Sequence, residues 1–192
     1  MLSRKGLNMS DEFKISLAQL NATVGDLSGN TQKVMEAWEI ARDQRSDLIA
    51  FPELFITGYN PQDLILKTAF QKAATSSIDQ IAKACAQGPA IAIGAPFYDE
   101  NKLYNSYYIL ADGKIQAVIK KHHLPNEEVF DEVRLFSSGN VDGPFQIGKM
   151  RIGSPICEDA WHTDIVETLA ETGAQTLLVP NGSPYYLSLI HI

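Results

Sequence analysis

Basic residues are in the minority: 16 Lys and Arg stand against 23 Asp and Glu, a formal net charge of −7. A nucleic-acid surface shows as a basic excess, so no nucleic-acid partner is expected. The one basic cluster, Lys120-Lys121-His122-His123, is too short for a backbone-binding stripe. Cysteine is scarce, with only Cys85 and Cys157 in 192 residues, too few for a small secreted disulfide scaffold. Free thiols and a cytoplasmic location are therefore expected. No apolar run approaches the ~18 residues of a spanning helix, so no membrane partner is expected either. Residues 1–13 are polar and mixed in charge, without the apolar core of an export signal. They read as a disordered leader, with Met9 as an alternative start.

What remains is ordinary globular composition, 45% apolar and 20% charged, enough for one domain with a sizeable core. Short apolar runs alternate with helical patterns. Strands are expected at 14–20, 47–51 and 90–94. A helix carrying Val34, Trp38 and Ala41 is expected after an N-cap at Asn30 or Thr31, and a second from about Thr68 to Ala86. The runs Leu103 to Leu110 and Lys114 to Ile119 flank Asp112-Gly113, a strong hairpin signal. A second hairpin over 145–156, a helix over 163–172 and a strand over 175–179 follow. Interleaved strands and helices predict an α/β fold with a mixed sheet, and runs such as Leu48-Ile49-Ala50-Phe51 suit strands covered on both faces.

Three residues with chemical potential end or follow strands: Glu53, Lys121 and Cys157. Taken singly, each has a bland reading. A strand-end cysteine is often a buried, inert thiol, a glutamate after proline is often a solvated loop residue, and Lys121 beside Lys120 suits a solvated hairpin end. The acidic neighbours Glu158 and Asp159, if close to the sulfur, would also lower its reactivity.

Read together, the segments Phe51-Pro52-Glu53-Leu54, Lys121-His122-His123-Leu124-Pro125 and Pro155-Ile156-Cys157-Glu158-Asp159 resemble, in order, the three signatures of the nitrilase-like C–N hydrolase superfamily. Thr57 to Leu64, Leu124-Pro125-Asn126 with Val129 to Glu132, and Asn181 to Tyr185 look like the glutamine amidotransferase domain of glutamine-dependent NAD synthetases. The resemblance runs from about Ile15 to Tyr186 and implies an α-β-β-α sandwich over 14–186 with its C-terminal part missing.

It also implies a mechanism. A neutral amide is a poor electrophile, so cleavage needs a thiolate, a proton acceptor and a place for oxyanion charge. Cys157 would attack the glutamine side-chain amide, Glu53 would take and return the proton, and Lys121 would hold the oxyanion. Lys121 is preferred over Lys120 because it stands two residues before His123 and three before Leu124. Glu132 is even between a second active-site carboxylate and a salt-bridged structural residue, whereas Glu128 reads as a solvated turn. Tyr59, Glu127, Glu158 and Ser183 are the expected substrate contacts, with Trp161 and His162 as pocket wall and helix-cap region. The family usually has a tyrosine where Glu127 stands, which leaves open a stand-alone amidase for another small amide. No metal is expected, because no His, Cys and carboxylate run has ligand spacing. ATP and Mg are expected only in a synthetase domain that would receive the ammonia. Homo-oligomers are implied by the resemblance.

Beyond Tyr186 the resemblance lapses, and Leu187 to Ile192 read as an atypical, non-native tail. The expectation is an interrupted product of a longer gene, and an inactive fragment stays open as a third reading.

Overall fold

The computed structural model describes residues 12–127 and 129–183. The expected leader up to residue 11, the tail at 187–192, Pro184, Tyr185 and Glu128 lie outside the described residues. The chain alternates β1 (Ile15–Leu17), α1 (Leu27–Asp43), β2 (Leu48–Ala50), α2 (Thr68–Ala84) and β3 (Ala90–Asp99). It then forms β4 (Lys102–Ala111), β5 (Lys114–Lys120), α3 (Glu132–Leu135), β6 (Phe145–Ile147), β7 (Met150–Gly153), α4 (Thr163–Glu171) and β8 (Thr176–Leu177). Short 3₁₀ turns occupy Gln62–Leu66 and Cys157–Trp161.

Two sheets result. The larger runs β1-β2-β3-β4-β5, parallel through its first three strands and antiparallel through the last three. The smaller runs β6-β7-β8. Period-two alternation decides which side chains face which layer. Ile49, Phe51, Ile91, Ile93, Tyr108 and Leu110 pack on Val34, Trp38, Ala74, Ile78 and Ile81 of α1 and α2. The intervening Leu48, Ala50, Ala92, Tyr107 and Ile109 pack on Phe145, Ile152 and Ile156 of the smaller sheet's side. On β7, Ile152 faces inward while Gly153 approaches Leu169 of α4. The layers are thus helix, sheet, sheet, helix, the expected α-β-β-α sandwich.

The expected elements occur, some shortened, and the Asp112-Gly113 turn has both residues at positive φ, +54° and +78°, as a type I′ hairpin requires. One expectation fails. The N-cap of α1 is Asp26, whose Oδ1 accepts from the Gly29 N–H at 2.9 Å. Asn30 and Thr31 lie inside the helix and are buried. Asn30 is occupied elsewhere: its Nδ2 donates to the carbonyls of Thr23 and Ile56 and its Oδ1 accepts from Thr23 N–H. It staples two loops instead of ending a helix. Cys85, at the C-cap of α2, is buried in the helix-facing core, and burial pushes its thiol up to about 11.

Candidate active site

Glu53 leaves β2 through Phe51-Pro52, and the chain then runs back against β3. Phe51 N–H bonds the Ala92 carbonyl, Gly94 N–H bonds Pro52, and Ile56 N–H bonds Gly94. That approach requires a glycine: a Cβ on Gly94 would lie 2.1 Å from Leu54 N and 2.6 Å from Glu53 C. Lys121 follows β5, and its N–H bonds the Asn105 carbonyl at 2.9 Å, one step beyond the Ser106–Lys120 pair of the ladder. The register therefore sets the Asn105 and Lys121 side chains beside one another. Cys157 follows β7 through Ser154-Pro155-Ile156 and sits at φ +48° with its N–H on the Pro180 carbonyl. A non-glycine residue in that region costs on the order of 1–3 kcal/mol and persists only where its surroundings hold it.

These three segments converge. Lys121 Nζ donates to Glu53 Oε1 at 2.7 Å and to Glu132 Oε1 at 3.0 Å, all with side chains out of solvent. Asn105 Nδ2 donates to Glu53 Oε1 at 2.8 Å and to Glu132 Oε2 at 3.3 Å. Tyr59 Oη donates to Glu132 Oε1 and Gly182 N–H to Glu53 Oε2. The Cys157 thiol lies close enough to Glu53, Lys121 and the Gly182 N–H for each to act on its titration. Gly182 is placed by contact as well, since a Cβ there would strike the Tyr59 ring at 2.7 Å.

Electrostatics follow from burial. The Cys157 thiol is pushed up to about 12, first by burial and then by the Glu53 carboxylate, against the opposing pull of Lys121 and of Gly182 N–H. Burial and Glu53 thus favour the neutral thiol over a thiolate in the resting site. Burial alone would lower Lys121, but Glu53 and Glu132 outweigh it and raise it above its ordinary value, so the ammonium is retained. Glu132 is raised by burial, partly countered by Lys121, and raised further by Glu53.

Asp159 does not act on the sulfur as its sequence position suggested. Its buried carboxylate accepts from the N–H groups of Ile156, His122 and His123. It ties the turn bearing Cys157 to the segment bearing Lys121. Neither this staple nor the Asn105 bridge is legible in the sequence. Their only signal is a polar residue in an otherwise buried run, as in Tyr104-Asn105-Ser106.

The other candidates separate into two cavities. Tyr59 and Ser183 line one of about 250 Å³ beside Glu53, together with Asn181 and Gly182. Glu127 and Glu158 line another of about 490 Å³ with His123, Phe130 and His162. Tyr59 lines the first and Phe130 the second, with their rings 6.3 Å apart. Glu127 is exposed, and Glu158 is 3.2 Å from His162. Trp161 is not a pocket wall: the 3₁₀ turn sends Asp159 inward and leaves Trp161 83% exposed. Lys120 is engaged elsewhere, with Asp99 at 3.0 Å and over the Tyr104 ring. Among the described residues no helix is long and apolar enough to cross a membrane.

The carbon-nitrogen hydrolase family profile matches residues 14–191. A glutamine-dependent NAD(+) synthetase of Rhodobacter capsulatus is 50% identical over 92% of this chain, which covers 32% of that protein. The structure of glutamine-dependent NAD+ synthetase from Acinetobacter baumannii, in complex with ADP, superposes with a TM-score of 0.88 at 35% identity, over 93% of this chain and 34% of that one. An amidase from Nesterenkonia sp. superposes with a TM-score of 0.80 at 23% identity, over 93% and 68% of the respective chains, a likeness of fold. The chain spans about a third of the length of the curated synthetases it matches.

Proposed function

This chain belongs to the carbon-nitrogen hydrolase family, and from that premise we propose that it hydrolyses glutamine as the ammonia-supplying portion of a glutamine-dependent NAD synthetase. The observation that carries the chemistry is one buried carboxylate, Glu53, that holds the Lys121 ammonium at 2.7 Å and acts on the nearby Cys157 thiol. Half-identity to a named synthetase supports the substrate.

Glu53 takes the thiol proton as Cys157 Sγ attacks the amide carbonyl, so a thiolate forms only as the C–S bond does. Lys121 has three N–H donors. Two are on Glu53 and Glu132, and the third is available to the tetrahedral oxyanion. Collapse breaks the C–N bond, and Glu53 returns the proton to the departing nitrogen, releasing ammonia. Water then gives a proton to Glu53 and attacks the glutamyl thioester, and Sγ leaves and is reprotonated. Glu132 acts through Lys121 and Tyr59 as the second carboxylate. Tyr59 and Ser183 are the proposed contacts beside Glu53; Glu127 and Glu158 are proposed contacts at the second cavity.

The ammonia would pass to a synthetase domain using ATP and Mg to amidate deamido-NAD. A cytoplasmic location and homo-oligomeric assembly belong to the same proposal. One observation favours a second reading, an amidase for another small amide. Glu127 and Glu158 put two carboxylates at one cavity, unwelcome to the α-carboxylate of glutamine. Ammonia release measured over glutamine and a series of simple aliphatic amides decides between them. Preference for glutamine is expected, and preference for uncharged amides would overturn the substrate assignment.

A further inference from the structure

Outside the acyl-transfer cluster, two segments 41 residues apart bring imidazoles and a carboxylate together. His122 Nδ1 lies 2.7 Å from the Gly139 carbonyl oxygen. A carbonyl only accepts, so Nδ1 carries a proton, and in the neutral ring Nε2 is the nitrogen left to bind. Donation of the remote ring N–H to a backbone carbonyl is the arrangement that orients metal-bound histidines. His123 Nε2 lies 3.0 and 3.1 Å from the two carboxylate oxygens of Asp164, at the start of α4. One donor atom from each of His122, His123 and Asp164 falls within 4.8 Å of the others.

The backbone beneath them is already fixed. Asp159 accepts from the N–H groups of both histidines, and Ser138 Oγ donates to the His122 carbonyl at 2.6 Å. The His123 ring is backed by His162, stacked at 3.7 Å. A packed ion pair would need none of the His122 tautomer control.

We propose that His122, His123 and Asp164 bind a borderline divalent transition ion, with Zn²⁺ as the type. Two imidazoles and one carboxylate suit zinc and disfavour the all-oxygen ions magnesium and calcium. Bonds of about 2.0–2.2 Å in a tetrahedron require the three donor atoms, within 4.8 Å of one another, to close on the ion. Three protein ligands leave a fourth position for water. His123 also lines the cavity shared with Glu127 and Glu158, and Lys121 directly precedes His122. The ion would therefore sit at the edge of the proposed substrate region and stiffen the segment carrying Lys121. The site rests on its own geometry and stands apart from the glutaminase reading.

The test is calorimetric titration of untagged full chain with Zn²⁺, in a Cys157→Ala background that removes the competing thiol. One ion per chain is expected, at least about tenfold weaker in His122→Gln and Asp164→Asn, with no heat from Mg²⁺. Co²⁺ in the same background should give the intense visible absorption of a four-coordinate ion. Asp164 is exposed, so Asp164→Asn still decides the matter if His122→Gln does not fold. No binding, or binding of equal strength in parent and variants, overturns the site.

Discussion

Lys121 Nζ lies 2.7 Å from Glu53 Oε1, and neither side chain reaches solvent. A charge pair of this kind is weak as a source of net stability yet costly to break from one side, about 3–5 kcal/mol. Lys121→Ala leaves Glu53 and Glu132 buried without their cation. It should lose activity and lower the unfolding free energy by about that amount in chemical denaturation. Lys120→Ala should do neither beyond a few tenths to about 1 kcal/mol, since its Asp99 contact is a part-exposed pair. Equal losses in the two variants would count against the assignment of Lys121.

The same pair fixes a pH window. Lys121 is raised above its ordinary 10.5 in the folded protein. A raised cation contributes stability that is full below the unfolded value and is lost as pH climbs through the folded one. Its contribution should thus be flat through neutrality and vanish only in strongly alkaline solution. Denaturation midpoints of parent and Lys121→Met across pH should converge there; convergence near neutrality would show that the ammonium is not held as described.

Asn105 touches both carboxylates through one amide nitrogen. Donors to a carboxylate favour its charged form, so Asn105→Leu should shift the acid limb of kcat/KM to higher pH as well as lower kcat. An unchanged pH profile with a simple loss of stability would reduce Asn105 to packing.

Gly94 permits the close passage of Pro52, Glu53 and Leu54. Gly94→Ala should displace Glu53 and reduce kcat by on the order of a hundredfold, because misplacement of about 1 Å carries that cost. Gly143→Ala meets nothing within 4 Å and is the control, expected within about 0.5 kcal/mol of the parent. Full activity in Gly94→Ala would mean that Glu53 is not positioned through this contact.

Cys157, pushed up to about 12, should show almost no thiolate at neutral pH. The ultraviolet thiolate absorbance of the parent minus that of Cys157→Ala isolates this group from Cys85. The difference should rise only in alkaline solution, and a plateau already present near neutrality would replace general-base attack with a preformed nucleophile.

Much of the framework is legible in the sequence because its signals are local. The continuous apolar run Leu48 to Phe51, helical spacing of Val34, Trp38 and Ala41, and Asp112-Gly113 each name an element without tertiary help. The cap of α1 is ambiguous in the sequence because Asp26 and Asn30 both suit that role, and only the contacts of Asn30 with Thr23 and Ile56 decide between them. The two-sheet layering came through family resemblance, since covered strands alone do not say what covers them. Convergence of Glu53, Lys121 and Cys157 is non-local and was likewise carried by ordered motifs. Asn105, the Asp159 staple and the His122, His123 and Asp164 group were not legible. Each depends on side chains brought together across tens of residues, and ligand spacing in the chain cannot reveal that.

The central claim is covalent catalysis by Cys157, and acid-quenched mass spectrometry of the chain mixed with glutamine tests it most directly. A glutamyl adduct that maps to the peptide containing Cys157, is lost in Cys157→Ala and forms as ammonia is released is the predicted result. Ammonia released at the parental rate by Cys157→Ala, or an adduct on another residue, would contradict it.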